Sequence, residues 1–372
     1  MQYYTGLNKS ERVVLDAQGR SFGMTAWFYR YLCSVLPDEK RLAYQKVFHA
    51  RQVKAMIGAC ELKRLYGVLA SHGLRFAPIK GADLAYRLYP EAALRNFCDW
   101  DIWFHPDDCE RALDVLAEDG WKVPEISSTN LDADQIRGRH HFLGHVRGQY
   151  RVEPHFTLAN FEEISPNEMW LYTLDYPNGD GQHLLSPEMN LLMLTRHAAS
   201  QSYFHAQLPK LMTDTAMVMQ NEKVNCNCLR ELAIRWHLPY SGDLLAAFPE
   251  FFPSDVIAEF KADSRKSEAF RRVFETRNKL GEQDVVVLLL SKYEARREIV
   301  GGVMKIIKAH TPNKMRLIYH LPEHGACARL LWAYVRWFFF RTWRARVWMR
   351  RNPLLREYAH TVEVVESARK SK

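Results

Sequence analysis

The stretch Asp99-Trp-Asp-Ile-Trp-Phe104 constrains this chain more than any other. It alternates as an extended strand does, which puts Asp99 and Asp101 on one face and directs Trp100 into the other. Two carboxylates held that close repel each other when both are ionised. A divalent cation removes that cost. The bland alternatives are a solvated strand face, or one carboxylate paired with Arg95.

The neighbouring segments favour the cation. Glu153 and His155 repeat the two-residue spacing on a second predicted strand, Tyr150 to Thr157, which forms a hairpin with Arg139 to Val146 around Arg147-Gly148-Gln149. If that strand lies beside the first, Glu153 becomes a third carboxylate. Three oxygen ligands facing a cleft suit Mg²⁺ (or Mn²⁺), which keeps several waters and takes its other ligands from substrate phosphates. Upstream, the short strand Arg75 to Ile79 runs into Lys80-Gly81-Ala82 and then a helix ending near Pro90. Gly81 has no side chain to block a phosphate, the helix start offers free N–H groups, and Lys80 adds a charge. A phosphate cradle, a carboxylate pair about 20 residues later and a third carboxylate is the layout of nucleotidyl transfer, in which two metals activate the attacking oxygen and stabilise departing pyrophosphate.

The ordered set Ile79-Lys80-Gly81-Ala82, Tyr89-Pro90, Arg95, Asp99-Trp100-Asp101, Gly120-Trp121 and Glu153-Pro154-His155 resembles the polymerase-β-like nucleotidyltransferase superfamily. Within it, residues 70–157 are most similar to a bacterial branch of mostly uncharacterised nucleotidyltransferase family proteins. The likeness continues through Leu185-Ser-Pro-Glu188, His197-Ala198 and Lys210-Leu-Met-Thr-Asp214, so that it spans about residues 45–220. The resemblance implies an α+β fold: a nucleotidyltransferase core with a small mixed sheet, flanked by N-terminal helices and a mostly helical C-terminal region. It implies a cytoplasmic enzyme that binds an NTP such as ATP with Mg²⁺ and moves the nucleoside monophosphate to an acceptor hydroxyl of unread identity. Asp99, Asp101 and Glu153 would be the metal and catalytic residues. Lys80, Gly81 and Ala82 would hold the nucleotide, and Arg95 would contact phosphate or brace Asp99. His155 would shape the carboxylate site. His197 and Asp214 would support the nucleotide pocket, or simply pack and hydrogen-bond in a helical domain. Three departures stand out. Ala82 replaces the Ser or Gly often found in the phosphate turn. Trp100 replaces a smaller aliphatic residue. Pro154 cannot donate a ladder hydrogen bond, which predicts a sheet edge there. The competing readings are a non-catalytic nucleotide- or partner-binding protein on the same fold, and phosphoryl transfer by a related metal cradle.

The rest of the chain divides into a helical segment, 1–72, the α/β core, 73–180, and a helical region, 181–372. Lys40 to His72 lacks proline and carries Val47, Val53, Ile57, Leu62, Leu65 and Leu69 near helical spacing. Pro106-Asp107-Asp108 is a helix start, with Asp107 the expected cap, for a helix over Cys109 to Asp119. Ser186-Pro187 is another, for a helix over Asn190 to Ser200. Lys210–Asn221, Leu229–His237 and Val256–Phe260 read as helices, and Asp284 to Leu290 as helix or strand. Hydrophobic residues are 47% and charged residues 25%, which excludes disordered, collagenous and low-complexity classes. No apolar run approaches the roughly 20 residues of a membrane-spanning helix, and the N-terminus lacks the basic start and apolar stretch of a secretory signal. Seven cysteines with no Cys-x-x-Cys read as reduced thiols. His140, His141, His145 and His155 invite a zinc reading, but His140 faces away from His141 and His145, and Mg²⁺ is favoured.

Charge is unevenly placed. Residues 326–372 carry eleven Lys/Arg and three Glu, which is the whole excess of +8, while the remainder holds 40 basic and 40 acidic groups. The body is therefore no polyanion binder, and long nucleic acid is disfavoured as a partner. The tail segment 330–351 interleaves arginine with Trp and Phe. The expectation is a helix packed on the body, followed by peripheral contact with an anionic membrane, then nucleic acid.

Overall fold

The computed structural model describes residues 6–21, 23–123, 141–142, 144–158, 161, 163–177, 181–201, 208–238, 240–249, 257–258 and 262–277. The chain divides into two compact units, Met1–Ala262 and Asp263–Lys372. The basic aromatic tail, the segment Asp284 to Leu290, His140 and most of Val256–Phe260 lie outside the described residues.

Helices α1 (Lys9–Ser21), α2 (Thr25–Leu32) and α3 (Asp38–Ser71) open the first unit. The long α3 starts with Asp38 and Glu39 in its first turn, where acids answer the helix dipole. It ends at Gly73, whose φ of 62° suits a left-handed C-terminal cap. Its buried residues are Tyr44, Phe48, Ala55, Gly58, Leu62, Leu65 and Leu69, a single stripe. The expected stripe is right only in its second half. Val47, Val53 and Ile57 are exposed, because tracing a period of 3.6 residues back from Leu62 reaches Gly58, Ala55 and Phe48 instead.

The core follows. Strand β1 (Phe76–Ile79) leads into α4 (Lys80–Arg87), then a 3₁₀ turn at Ala92–Leu94 and β2 (Trp100–Phe104). A second 3₁₀ turn, Pro106–Asp108, precedes α5 (Cys109–Glu118). The cap there is not Asp107. The His105 ring accepts the Asp107 N–H at 3.2 Å, while Asp108 turns inward and receives the Arg75 backbone N–H and Nε–H at 3.1 and 2.7 Å. Strands β3 (His145–Arg147) and β4 (Tyr150–His155) form the expected hairpin, with β3 shorter than expected. The sheet order is β1-β2-β4-β3. Strands β1 and β2 are antiparallel, β2 and β4 parallel, and β4 and β3 antiparallel. Strand β4 is thus interior, yet Pro154 is tolerated. Its carbonyl accepts from Phe142 N–H at 2.8 Å, so its missing N–H falls on the side where the ladder with β3 has already ended.

One sheet face is dry. Phe76, Trp100, Ile102, Phe104 and Val152 pack against Leu62, Leu65 and Leu69 of α3, Ala82 of α4, Ala112 and Leu116 of α5, and Trp121. Removing one of these leucine side chains should cost about 2–5 kcal/mol. Asp119 fixes the hairpin to this layer by accepting from Arg64 of α3, Arg147 of β3 and the Trp121 indole. The opposite face carries Ala77, Ile79, Asp101, Trp103, Glu153 and His155.

The chain then forms α6 (Pro166–Trp170) and a small antiparallel pair, β5 (Thr173–Asp175) with β6 (His183–Leu185), which the sequence pattern does not announce. Helices α7 (Pro187–Gln201), α8 (Leu208–Asn221), α9 (Cys226–Arg235) and α10 (Tyr240–Ala246) complete the described part of the first unit. Ser186 caps α7 as expected, accepting from Met189 N–H at 3.2 Å. In the second unit, α11 (Ser264–Arg277) is described. No helix among the described residues is long and apolar enough to cross a membrane.

Candidate active site

Register puts the carboxylates together. Asp101 of β2 lies opposite Glu153 of β4, and Trp103 lies opposite His155, so the alternation in both strands serves one face. Asp101, Glu153 and His155 each offer a ligand atom within 4.8 Å of the others. His155 is 1% exposed and its Nε2–H donates to Asp101 Oδ1 at 2.8 Å. Lys80 Nζ reaches the same oxygen at 3.4 Å. Asp99 is outside this group of donors, one residue before β2, but close enough that Asp99 and Asp101 act on each other's charge.

The electrostatics sort the three acids. Burial opposes ionisation of Asp101, yet the charge of Lys80 and the hydrogen bond from His155 outweigh it and hold the carboxyl well below its usual range. Asp99 and Glu153 go the other way. Burial raises both, and the Asp101 charge raises both again. His155 is pushed down to about 4, by burial first and Lys80 next, against the pull of Asp101. It is therefore neutral at neutral pH, and what it gives Asp101 is a hydrogen bond rather than a full charge.

Lys80 sits where β1 becomes α4, with a φ of 55°, a left-handed conformation rare outside glycine. The expected turn is the first residue of the helix itself. Gly81 is needed here for packing. A Cβ on it would lie 3.0 Å from the Phe97 Cβ, so the missing side chain lets the segment before Asp99 close against α4. Ala82 is buried in the dry core beneath.

Arg95 braces Asp214 rather than Asp99. It is 5% exposed and forks Asp214 of α8, with Nε at 2.6 Å and Nη2 at 2.7 Å, while Nη1 donates to Asn96 O. Tyr89 donates its hydroxyl to Asp214 at 2.6 Å. Asp214, 119 residues away in sequence, meets the guanidinium because α8 packs beside α4. His197 of α7 is pushed down to about 3 by burial and then by Lys80, Lys210 and Arg95, with Asp101 pulling against them. It therefore borders the charged face. Lys210 of α8 is half-buried and lowered, by burial first and then Arg95, with Asp214 and Asp99 opposing. Lys210 is the charged neighbour of Asp99 that sequence reasoning missed. Its signal was present: it lies four residues before Asp214, on the same helix face. The His141 ring lies 5.3 Å from the His155 ring, tilted by 54°, and His145 lies opposite Val152; the group of converging metal donors found among the described residues includes His155 but neither of these.

No curated protein and no solved structure matches the chain. A family model described as an uncharacterised nucleotidyltransferase matches residues 30–243. That range is more than half of the chain and runs from α2 into α10, taking in both sheet faces and every residue placed at the site above. The chain belongs to this uncharacterised nucleotidyltransferase family.

Proposed function

We propose that the protein moves a nucleoside monophosphate from a nucleoside triphosphate to an acceptor hydroxyl and releases pyrophosphate. One observation carries the reading: Asp101, Glu153 and His155 converge within 4.8 Å on one sheet face, beside a lysine that starts a helix. The donor set fits a hard divalent cation, because burial and the charge of Asp101 raise the neighbouring carboxyls of Asp99 and Glu153 even with Lys80 and Arg151 beside them. Asp101 and Glu153 would hold Mg²⁺ or Mn²⁺, with Asp99 completing the set. When bound, the cation offsets charge on the phosphates and makes the acceptor hydroxyl easier to deprotonate.

The chain's own residues do the rest. Lys80 and the start of α4 draw the triphosphate to the face. His155 is a positioning residue that fixes the Asp101 carboxylate and keeps it ionised. Glu153, whose carboxyl is raised above its ordinary range by burial and by Asp101, is a better proton acceptor than an unperturbed carboxylate. As the acceptor oxygen bonds to the α-phosphorus, Glu153 takes the hydroxyl proton. The bond to the bridging oxygen breaks, and pyrophosphate leaves with that electron pair.

Thermal unfolding with ATP, GTP, CTP and UTP, with and without Mg²⁺, tests this. A ligand at 100 times its dissociation constant adds about 2.7 kcal/mol. At least one nucleotide should give a metal-dependent shift that Asp101→Asn loses, and turnover should yield pyrophosphate. Nucleoside diphosphate as product would replace the reading with phosphoryl transfer. Wild-type turnover in Asp101→Asn would remove it. The exclusion of Asp99 from the converging donors favours one second reading, nucleotide binding without chemistry. A metal-dependent shift with no turnover would select it.

A further inference from the structure

Helix α3 is apolar on two sides, and its own unit covers one of them. The inward stripe through Tyr44, Phe48, Ala55, Gly58, Leu62 and Leu69 returns every seven residues. A second stripe returns at the same interval on the opposite side, at positions 42, 46, 49, 53, 56, 60 and 63, all of them exposed. Its steps alternate between four and three residues, the spacing of a coiled-coil seam. Leu42 is 55% exposed, Val53 56% and Met56 71%, and Ile57 flanks them at 52%. Single exposed apolar residues need no explanation, but a row along one helix marks an interaction surface.

The polar positions of the seam select its occupant. Lys46 and Lys63 lie on it, and Glu39 continues it by one step toward the helix start. None of the three forms an ion pair among the described residues. A second copy of α3, laid antiparallel about a twofold axis beside position 51, answers them. Every seam residue then meets a seam residue, and each layer occurs twice. Glu39 meets the partner's Lys63, Leu42 the partner's Cys60, Lys46 the partner's Met56, and His49 the partner's Val53. The lysine stem rests on the methionine while its ammonium stays in water. On the flank, Ala50 meets the partner's Ala50 and Ala43 the partner's Ile57, so small side chains let the two helices approach.

The same charges penalise the other arrangements. A parallel pair in register would set Glu39, Lys46 and Lys63 each against its own like charge. Sliding the antiparallel pair by one heptad sets Lys46 against the partner's Lys63. Sliding it the other way sets Met56 against the partner's Glu39 and carries Cys60 past the start of the partner's helix. Such mismatches are how a coiled-coil seam rejects wrong registers. We infer that the exposed seam of α3 is a self-association surface and that its occupant is a second copy of this chain, docked antiparallel in this one register. The inference stands independently of the nucleotidyl-transfer reading.

Sedimentation equilibrium of the full chain over a range of concentrations tests this. The wild type should dimerise reversibly. Val53→Glu and Met56→Glu should each weaken the dimer about tenfold or more, because the twofold buries two unpaired charges at once. Both side chains are exposed in the single chain, so the melting temperature of the dilute monomer should not change. Glu39→Lys should weaken the dimer about threefold or more, and Glu39→Lys/Lys63→Glu should restore it. A wild type that stays monomeric at every concentration, or a dimer that both glutamate variants keep at wild-type strength, would overturn the surface. A monomer that melts lower in those two variants would overturn it as well, since another part of this chain would then cover the seam. Wild-type dimerisation in Glu39→Lys, or a charge swap that fails to restore the dimer, would overturn the antiparallel register.

Discussion

Two buried acidic regions both act on the charge of Lys210, through Asp214 and Asp99, and they treat charge in opposite ways. At Asp214 the protein supplies everything: a bidentate guanidinium from Arg95, a hydroxyl from Tyr89 and near-complete burial. At Asp101 it supplies one lysine and one neutral imidazole to a carboxylate that has two more acids as neighbours. The first arrangement is self-sufficient and holds α8 to the segment leading into β2. The second is a sheet face with charge still to be answered. Where a fold satisfies a buried acid itself, the acid is scaffold. Where it crowds acids and leaves them short of cations, a ligand completes them.

The comparison breaks most visibly at the self-sufficient end. Arg95→Met or Asp214→Leu alone strands a buried charge and should cost about 3–5 kcal/mol. The double variant replaces the pair with apolar groups and should recover most of that loss. Urea unfolding midpoints decide it. A double variant no more stable than either single one would mean that the pair matters for geometry rather than for charge.

At the crowded end the effects should be smaller and differ in sign. Asp101→Asn loses the Lys80 ion pair and weakens the His155 bond, and should destabilise the metal-free protein by about 1–3 kcal/mol. Asp99→Asn and Glu153→Gln relieve repulsion and should stabilise it by about 1 kcal/mol each. All three should abolish the shift given by Mg²⁺ and nucleotide. Asp99 or Glu153 variants that unfold at lower temperature than wild type without metal would show that the acids are not crowded.

The pH dependence follows the same division. Asp99 and Glu153 have folded values above their unfolded ones, so their contribution is most favourable below the ordinary carboxylate range and is lost as pH rises through the raised values. Asp101 is depressed, so its contribution is present above the ordinary range and is lost as pH falls through its folded value. Stabilisation by Mg²⁺ should therefore grow as pH rises through the raised range of Asp99 and Glu153. Melting curves across mildly acidic pH, with and without Mg²⁺, measure it. A metal effect independent of pH across that range would mean that these two acids are not ligands.

Legibility in the sequence followed the range of the interaction. The two-residue alternation at Asp101–Trp103 and Glu153–His155 was readable because a strand's period is local, and parallel pairing of β2 with β4 then set Asp101 opposite Glu153, while Asp99, expected on the strand, falls one residue before it. The strand-to-helix step at Lys80 was readable too. The phase of α3 was misjudged at Val47, Val53 and Ile57 because hydrophobicity alone does not mark Gly58 and Ala55 as the inward residues of a close-packed stripe. The packing of Phe97 against Gly81 was not readable, because only tertiary structure brings the two together. The partner of Arg95 was not readable, since nothing local connects residues 95 and 214.

The finest adjustment to the crowded end lies at Gly144. A Cβ there would fall 2.4 Å from Arg151 Nε, so alanine must displace the guanidinium that bonds Glu153. Arg151 is 52% exposed and its far end is flexible, so the displacement should cost the fold less than about 1 kcal/mol. Its effect should appear in Glu153 instead. Arg151 is among the groups that pull that carboxyl down against burial and the two aspartates. With the guanidinium moved, Gly144→Ala should raise Glu153 further and shift the pH at which Mg²⁺ begins to stabilise the protein upward, with the metal-free melting temperature nearly unchanged. An unmoved pH onset would separate the Arg151 charge from the carboxylate face.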